Sequence, residues 1–545
     1  MRFRSDVRSW LSTGLLALLL AVGGCSRSPS STSTALPANA KVLLRGGNQE
    51  PDSLDPQKAR SIEAQRMLRD ICEGLTLLDK NAGPAPGTAR DWSVSPDGKR
   101  YTFHLRPEAK WSNGDRVVAA DYVAGLQRLV DPATGSQYAD VVAVIANASD
   151  ITAGKKRPDT LGVTAPDDST VVIDLVAPAP YLPSLLSHPS TCPVHRPTLS
   201  QHPDTFARPG IMVSNGAFTL AQWVQGSYVL LTRNRYYWDN AANHLDAVRY
   251  LTISDENAEF TRYRAGELQI TTTVPRGQYE WIKANIPGQL HTSAQMTTYY
   301  YGFNLTRPPF KDNLPLRRAL SLVIDREQLT KLVLRAGELP AYGWIPPGVH
   351  DYTGQSFDYH DTPMAARLAE ARRLYAQAGY SAAQPLRFEL RYNSGEMHDK
   401  IALAVTSMWK QALGVDVTLT AEEFKSLLQD IDRGDVQMFR SSWSGDYNDA
   451  YTFAQYFTSG FGINLPHYRS TEYDSLVNAA AAQPDPQKRR ELLQNAERVL
   501  LRDHPMIPLY FYAGNHLVKP EVAGWYENVM NVVYSKDLSL VPAPE

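Results

Sequence analysis

His188, Cys192 and His195 stand in the spacing H-x3-C-x2-H within the proline-rich run HPSTCPVHRP. Imidazole with thiolate is a zinc donor set. No fourth ligand lies nearby and the spacing matches no zinc module, so neither a metal nor another cofactor is expected. Cys72 is the other thiol of the main body. A Cys72–Cys192 disulfide would suit an oxidising compartment, but two buried free thiols is the favoured reading of such sparse cysteine use. Carboxylates are plentiful, yet there is no GxSxG elbow, HExxH helix, phosphate loop or dinucleotide glycine fingerprint. With no activated nucleophile visible, the residues point to binding rather than catalysis.

Those residues need a large folded body to position them. The chain has 545 residues, 43% hydrophobic and 10% aromatic, which excludes a disordered chain and suggests about three domains. Lys+Arg total 55 against 57 Asp+Glu, so there is no basic footprint and no nucleic-acid partner is expected. The first residues read as a targeting signal. Arg2, Arg4 and Arg8 precede an uncharged apolar run, Leu11 to Val22, that is too short to span a bilayer. Val22-Gly23-Gly24-Cys25 resembles a bacterial lipobox, which makes residues 1–24 a lipoprotein signal peptide and Cys25 the lipid-attachment site. In a Gram-negative cell, Ser26 would suggest sorting to the outer membrane. Residues 25–39 are rich in Ser, Thr and Pro and read as a flexible tether.

Beyond the tether, periodicity alternates between about 2 and 3.6 residues, an α/β pattern with mixed sheets. Strands are expected at Lys41–Arg45, Tyr101–Leu105, Tyr228–Arg233, Val248–Ile253, Leu268–Thr273 and Tyr299–Asn304. Helices are expected at Ile62–Leu75, Val117–Val130 (with Asp115 as its cap), Glu256–Gly266 and Leu316–Arg335. A βα theme follows: helix Pro363–Gly379, strand Leu386–Tyr392, helix Glu396–Leu413, strand Val415–Thr420, helix Glu422–Arg433 and strand Val436–Trp443. Helices Thr471–Ala482 and Pro486–Arg502 and strand Ile507–Tyr512 close the body.

Ordered landmarks carry a resemblance. Ser53-Leu54-Asp55-Pro56 is followed by Glu73-Gly74-Leu75 and Pro84-Ala85-Pro86-Gly87. Then come WSVSPDGKRYTFHLRPEAKW (Trp92 to Trp111), Ser214-Asn215-Gly216-Ala217-Phe218, Arg262 to Glu267, Tyr299-Tyr300-Tyr301 and WSGDYN (Trp443 to Asn448). The series resembles the family 5 solute-binding proteins of ABC importers, most of all their oligopeptide-binding branch. The resemblance implies a two-lobed, class II clam-shell periplasmic-binding-protein fold with an extra small domain. Lobe I would comprise residues 40–66, 197–297 and 514–545. The extra domain would comprise 67–196, and lobe II 298–513. It implies a monomeric binding protein without enzymatic activity, tethered by lipid in the periplasm or at the cell surface. Short peptides would be held between the lobes and delivered to an inner-membrane ABC permease.

The same resemblance assigns roles to particular residues. Asp446 would pair with the peptide's α-ammonium, because a buried charge is costly without a partner. Trp443 would wall a side-chain pocket, and Tyr138 would touch the peptide from the opposite lobe. Arg440 and His398 would receive its carboxylate, a guanidinium suiting a carboxylate through two parallel hydrogen bonds. The stretch from Gln49 to Asp52, with Glu50 and Pro51 at its centre, would offer main-chain groups to an added strand. Ile431 stands where close relatives carry a second Arg, and Phe424 where they carry Trp. A murein tripeptide or another unusual ligand is the alternative; a surface hydrolase fits least.

Overall fold

The computed structural model describes residues 36–542. The leader, Cys25, Ser26 and most of the tether lie outside the described residues. From Ala40 onward the chain forms one unit with three large buried cores, each built on its own sheet.

In the first sheet, Val42–Asn48 runs parallel to Ala247–Thr252, and Tyr228–Arg233 and Phe218–Val224 follow antiparallel. Helix Ile62–Ile71 covers it. Ser61 caps the helix by accepting a hydrogen bond from the Ala64 N–H at 3.2 Å. Ala64, Met67, Leu68 and Ile71 are buried, one apolar stripe at helical spacing. The opposite stripe, Ile62, Gln65, Arg66 and Arg69, is left to face outward. The helix ends at Ile71 with Cys72 as its C-cap, and Cys72 is bonded to Cys192. The favoured reading of two free thiols is therefore corrected: 120 residues of chain separate two cysteines that folding brings to one core. The same bond removes Cys192 from any metal set. His188 and His195 instead cap short helices, accepting from the N–H groups of Ser190 and Thr198.

The second sheet has the order Ala89–Val94, Arg100–Leu105, Thr170–Asp174, Val163–Asp167, antiparallel throughout. The signature from Trp92 to Trp111 supplies its first hairpin. Gly98 takes φ +69° in the turn, where the Gly98 N–H bonds the Ser95 carbonyl. Helix Ala119–Val130 packs against this sheet, but Asp115 is not its cap. The Asp121 carboxylate turns back to the Val118 N–H at 3.1 Å and also holds the Trp111 indole and Arg196. Asp115 is occupied by Asn113 and His195.

The third sheet has six strands: Leu339–Pro340, Met506–Leu517, Leu290–Phe303, Met438–Ser444, Arg387–Asn393 and Asp416–Glu422. The last three are mutually parallel, linked through helices Glu396–Leu413 and Phe424–Asp432, as the βα alternation requires. One expected helix, Leu316–Arg335, is broken. The first segment, Leu314–Val323, stops at Ile324, whose backbone is extended. Asp325 then caps a new start by accepting from the Gln328 N–H at 2.8 Å. A wider turn, Leu329–Leu334, follows. Carbonyls at the break, and one on the strand Met506–Leu517, are taken by two buried arginines. Arg326 reaches those of Ser321, Ile324 and Pro508, and Arg367 those of Leu322 and Ile324. A guanidinium at a helix C-terminus is favourably placed. The strand expected at Leu268–Thr273 reduces to single bridges at Ile270.

Two long strands, Leu290–Phe303 and Met506–Leu517, join the bodies. Leu290 to Ala294 pair with Ala513 to Leu517, and Thr298 to Gly302 with Met506 to Phe511. The ladder lapses between these stretches, at Gln295, Met296 and Thr297. The half near Leu517 is tied to the first body through Thr271, and the other half is central to the third sheet. Such an interrupted ladder restrains this stretch less than the paired halves on either side, the usual character of a hinge.

Candidate binding site

A cavity of about 390 Å³ opens where that ladder lapses. Its floor is Gln295 to Thr297. One wall is the outward stripe of helix Ile62–Ile71, with Arg45 and Tyr138 beside it; the other is Ser444, Gly445 and Asp446. In the sequence alone the stripe reads as the solvated face of an amphipathic helix. A signal was present nonetheless, since Ile62 sits apolar in that face and is 69% exposed.

Asp446 is held by the hinge strand. The Gly445 N–H donates to the Met296 carbonyl at 2.9 Å, and the Asp446 N–H to the Thr452 hydroxyl at 3.3 Å. A Cβ on residue 445 would collide with the Met296 methyl and press on Thr452, so a larger residue here requires the Met296 side chain to move. The following residues anchor the loop elsewhere. Tyr447 stacks on Tyr181 of the second body at 4.6 Å, and the Asn448 amide donates to the Ala82 carbonyl at 2.7 Å. The carboxylate itself is exposed to the cleft and has no cationic partner among the described residues. The surrounding protein nevertheless depletes its water enough to raise its pKa above the ordinary value.

Tyr138 lines the same cleft. Its hydroxyl accepts from the Gln65 amide at 2.6 Å, and its ring lies 4.7 Å from that of His188. Burial holds His188 neutral by lowering its pKa to about 3, and His516, on the same cavity wall, to about 4.

The remaining expected residues are not brought to this wall. Arg440 and His398 meet each other instead, in a tyrosine-rich cluster on the third sheet. The Arg440 guanidinium lies 4.5 Å from the Tyr299 ring centroid, and donates to the Asn393 amide oxygen and the Tyr512 hydroxyl. Tyr299 Oη is 3.2 Å from His398 Nδ1. Burial, with the Arg440 charge adding to it, lowers the His398 pKa to about 4. Arg440 Nε and Tyr301 Oη are buried there without hydrogen-bond partners. Trp443 points to the other face of its strand, as an odd spacing from Arg440 demands. It packs on Tyr456 at 4.8 Å and donates to the Thr452 carbonyl. Neither Glu50 nor Pro51 is among the cavity's lining residues: the Glu50 carboxylate accepts from the Trp223 indole and the Gly226 N–H, and Pro51 is buried.

Comparison with known proteins agrees with this architecture. The family model for bacterial extracellular solute-binding proteins, family 5 (Middle), matches residues 83–464. The periplasmic oligopeptide-binding protein OppA of Salmonella typhimurium is 37% identical, over 98% of both chains. The probable deoxycholate-binding periplasmic protein YgiS of Escherichia coli is 39% identical, over 92% of this chain and 95% of its own. The unliganded open form of the murein tripeptide-binding protein MppA superimposes with a TM-score of 0.87 at 36% identity, over 92% of this chain and 98% of that one. Another structure of the murein tripeptide-binding protein, from Escherichia coli, gives 0.73 at 36% identity, over 92% of this chain and 99% of that one.

Proposed function

The chain belongs to the bacterial extracellular solute-binding proteins, family 5, and we propose that it captures short peptides between its lobes and hands them to an ABC permease. It is a two-lobed binding protein rather than an enzyme. Within this reading the lobes divide at 40–66, 197–297 and 514–545 against 298–513, with 67–196 as the extra domain, save that helix Ile62–Ile71, Cys72 and Cys192 pack into the core of the first sheet. The observation that carries the ligand class is Asp446: a carboxylate without a cation, partly dehydrated, fastened to the hinge strand at the cleft. Such a group is suited to a ligand ammonium. It disfavours an anionic steroid, which brings a charge of the same sign.

The far terminus falls to Arg440. Its charge has no carboxylate partner among the described residues, while neutral His398 offers a hydrogen bond but no charge. Arg440 and Asp446 are six residues apart along a strand and its extension, at most about 20 Å. An extended peptide covers that in roughly six residues. Closure then becomes a population shift, in which a ligand touching both lobes stabilises the closed arrangement.

A peptide library and its N-acetylated counterpart, titrated calorimetrically, test this reading. Saturable binding that acetylation abolishes is expected; indifference to acetylation refutes the ammonium clamp. A single bound species carrying a wall-type amino acid would move the reading to murein peptide. The periplasmic placement includes lipid attachment at Cys25, for which labelling with an alkynyl fatty acid should vanish in Cys25→Ala.

A further inference from the structure

The cleft carries more positive charge than the two peptide termini require. Arg45, Arg66 and Arg69 all line it on the first body, and Asp446 is the one carboxylate among its lining residues. Arg45 is committed to the Val533 carbonyl and the Ser535 hydroxyl, and Arg69 gives one hydrogen bond to the Ser187 carbonyl. Arg66 has neither a hydrogen bond nor an ion pair among the described residues. Glu63 and Glu259 favour its charge from nearby but form no ion pair with it: Glu63 accepts from the Asn48 amide and Glu259 from the Thr272 N–H. Burial first, and the neighbouring Arg45 charge second, lower the Arg66 pKa, and the opposing pull of Glu63 and Glu259 only partly offsets them. The cationic field is felt by its neighbours as well, since Arg66 and Arg45 both help to keep His516 neutral. An arginine in this position gains most from a carboxylate it can bind through two hydrogen bonds.

We propose that Arg66, backed by Arg45 and Arg69, is an anion subsite that takes a second carboxylate of the ligand, the side chain of an acidic residue. The inference rests on the peptide-binding reading and adds a preference to it. Asp446 selects for an amine and the helix stripe for an acid, so the ligand class becomes acidic peptides with a free amino end.

The test uses the folded body from Ala35 onward and three pairs of tripeptides: Glu-Ala-Ala, Ala-Glu-Ala and Ala-Ala-Glu, each against its Gln counterpart. Affinities are measured by calorimetry in the wild type, Arg66→Gln and Asp446→Asn, with thermal unfolding as the control for folding. In the wild type, at least one placement of Glu should bind tenfold or more tighter than Gln. The ratio should collapse to about one in Arg66→Gln and persist in Asp446→Asn, although both affinities fall there. Equal affinities for Glu and Gln in the wild type would overturn the subsite while leaving the receptor reading intact. A ratio that survives Arg66→Gln would also overturn it. Deoxycholate is the separate arm: Arg66-dependent binding of deoxycholate without a Glu preference would assign the anion to a steroid and overturn the acidic-peptide version. Failure of every tripeptide to bind would instead count against the peptide reading itself.

Discussion

Replacing Asp446 with Asn should separate two effects that usually move together. In the free protein the carboxylate is held with a raised pKa by the protein around it. Its folded pKa lies above its unfolded value, so at neutral pH ionisation opposes folding and the penalty fades only as pH falls through the folded pKa. Asp446→Asn should therefore raise the melting temperature of the ligand-free protein slightly. The ligand complex responds in the opposite sense. An ammonium buried against this carboxylate on closure, then deprived of it, should cost about 3–5 kcal/mol, or two to nearly four decades of affinity. The pH dependence follows from the same groups. Binding draws the Asp446 pKa down, so affinity is lost as pH falls through its raised free-state value. On the alkaline side affinity is lost as the ligand amine deprotonates, at about pH 8. Calorimetry from pH 4 to 9, on wild type and Asp446→Asn, should give a bell whose acid limb disappears in the variant. An unchanged acid limb, or an affinity loss below threefold, would refute the clamp.

Removing the Cys72–Cys192 bond by a double Ser substitution opens a loop with a sequence separation of 120 residues. Loop entropy puts the loss of stability at up to about 5 kcal/mol, read as a lower denaturant midpoint that a reductant reproduces in the wild type. Gly445→Ala should weaken ligand binding by forcing the loop away from Met296, and Met296→Ala should restore part of it in the double variant; absence of rescue would break the link between hinge and clamp. Glu50→Ala should lower stability by about 1–3 kcal/mol, because the Trp223 indole and Gly226 N–H lose their acceptor, and should leave tripeptide affinity unchanged in calorimetry. His398, neutral above its pKa of about 4, should impose no affinity change between pH 5 and 8, and an inflection near pH 6.5 that vanishes in His398→Gln would contradict its buried placement.

Much of the scaffold is local and was open to reading from residue order. Helices Glu396–Leu413 and Thr471–Ala482 run between the residues that periodicity and capping select, and the Pro-Asp-Gly turn after Trp92 makes the hairpin its residues demand. The landmark series carries the family for the same reason, since turns and strand alternation are short-range properties. Long-range geometry decided the rest. The break at Ile324 escapes periodicity because apolar spacing continues on both sides of it, and it is satisfied by Arg326 and Arg367, the latter from a distant helix. The disulfide joins residues that no spacing rule relates. Glu50 follows one strand and Arg440 lies within another, yet the first is spent on an indole and the second on a tyrosine cluster. Arg66 is the clearest case. On a helix viewed alone it belongs to the wet face, and only the packing of two bodies about Gln295–Thr297 turns that face into the wall of a cleft. Propensity and pattern act over a few residues, whereas the chemistry of a site depends on which distant groups desolvate or neutralise one another.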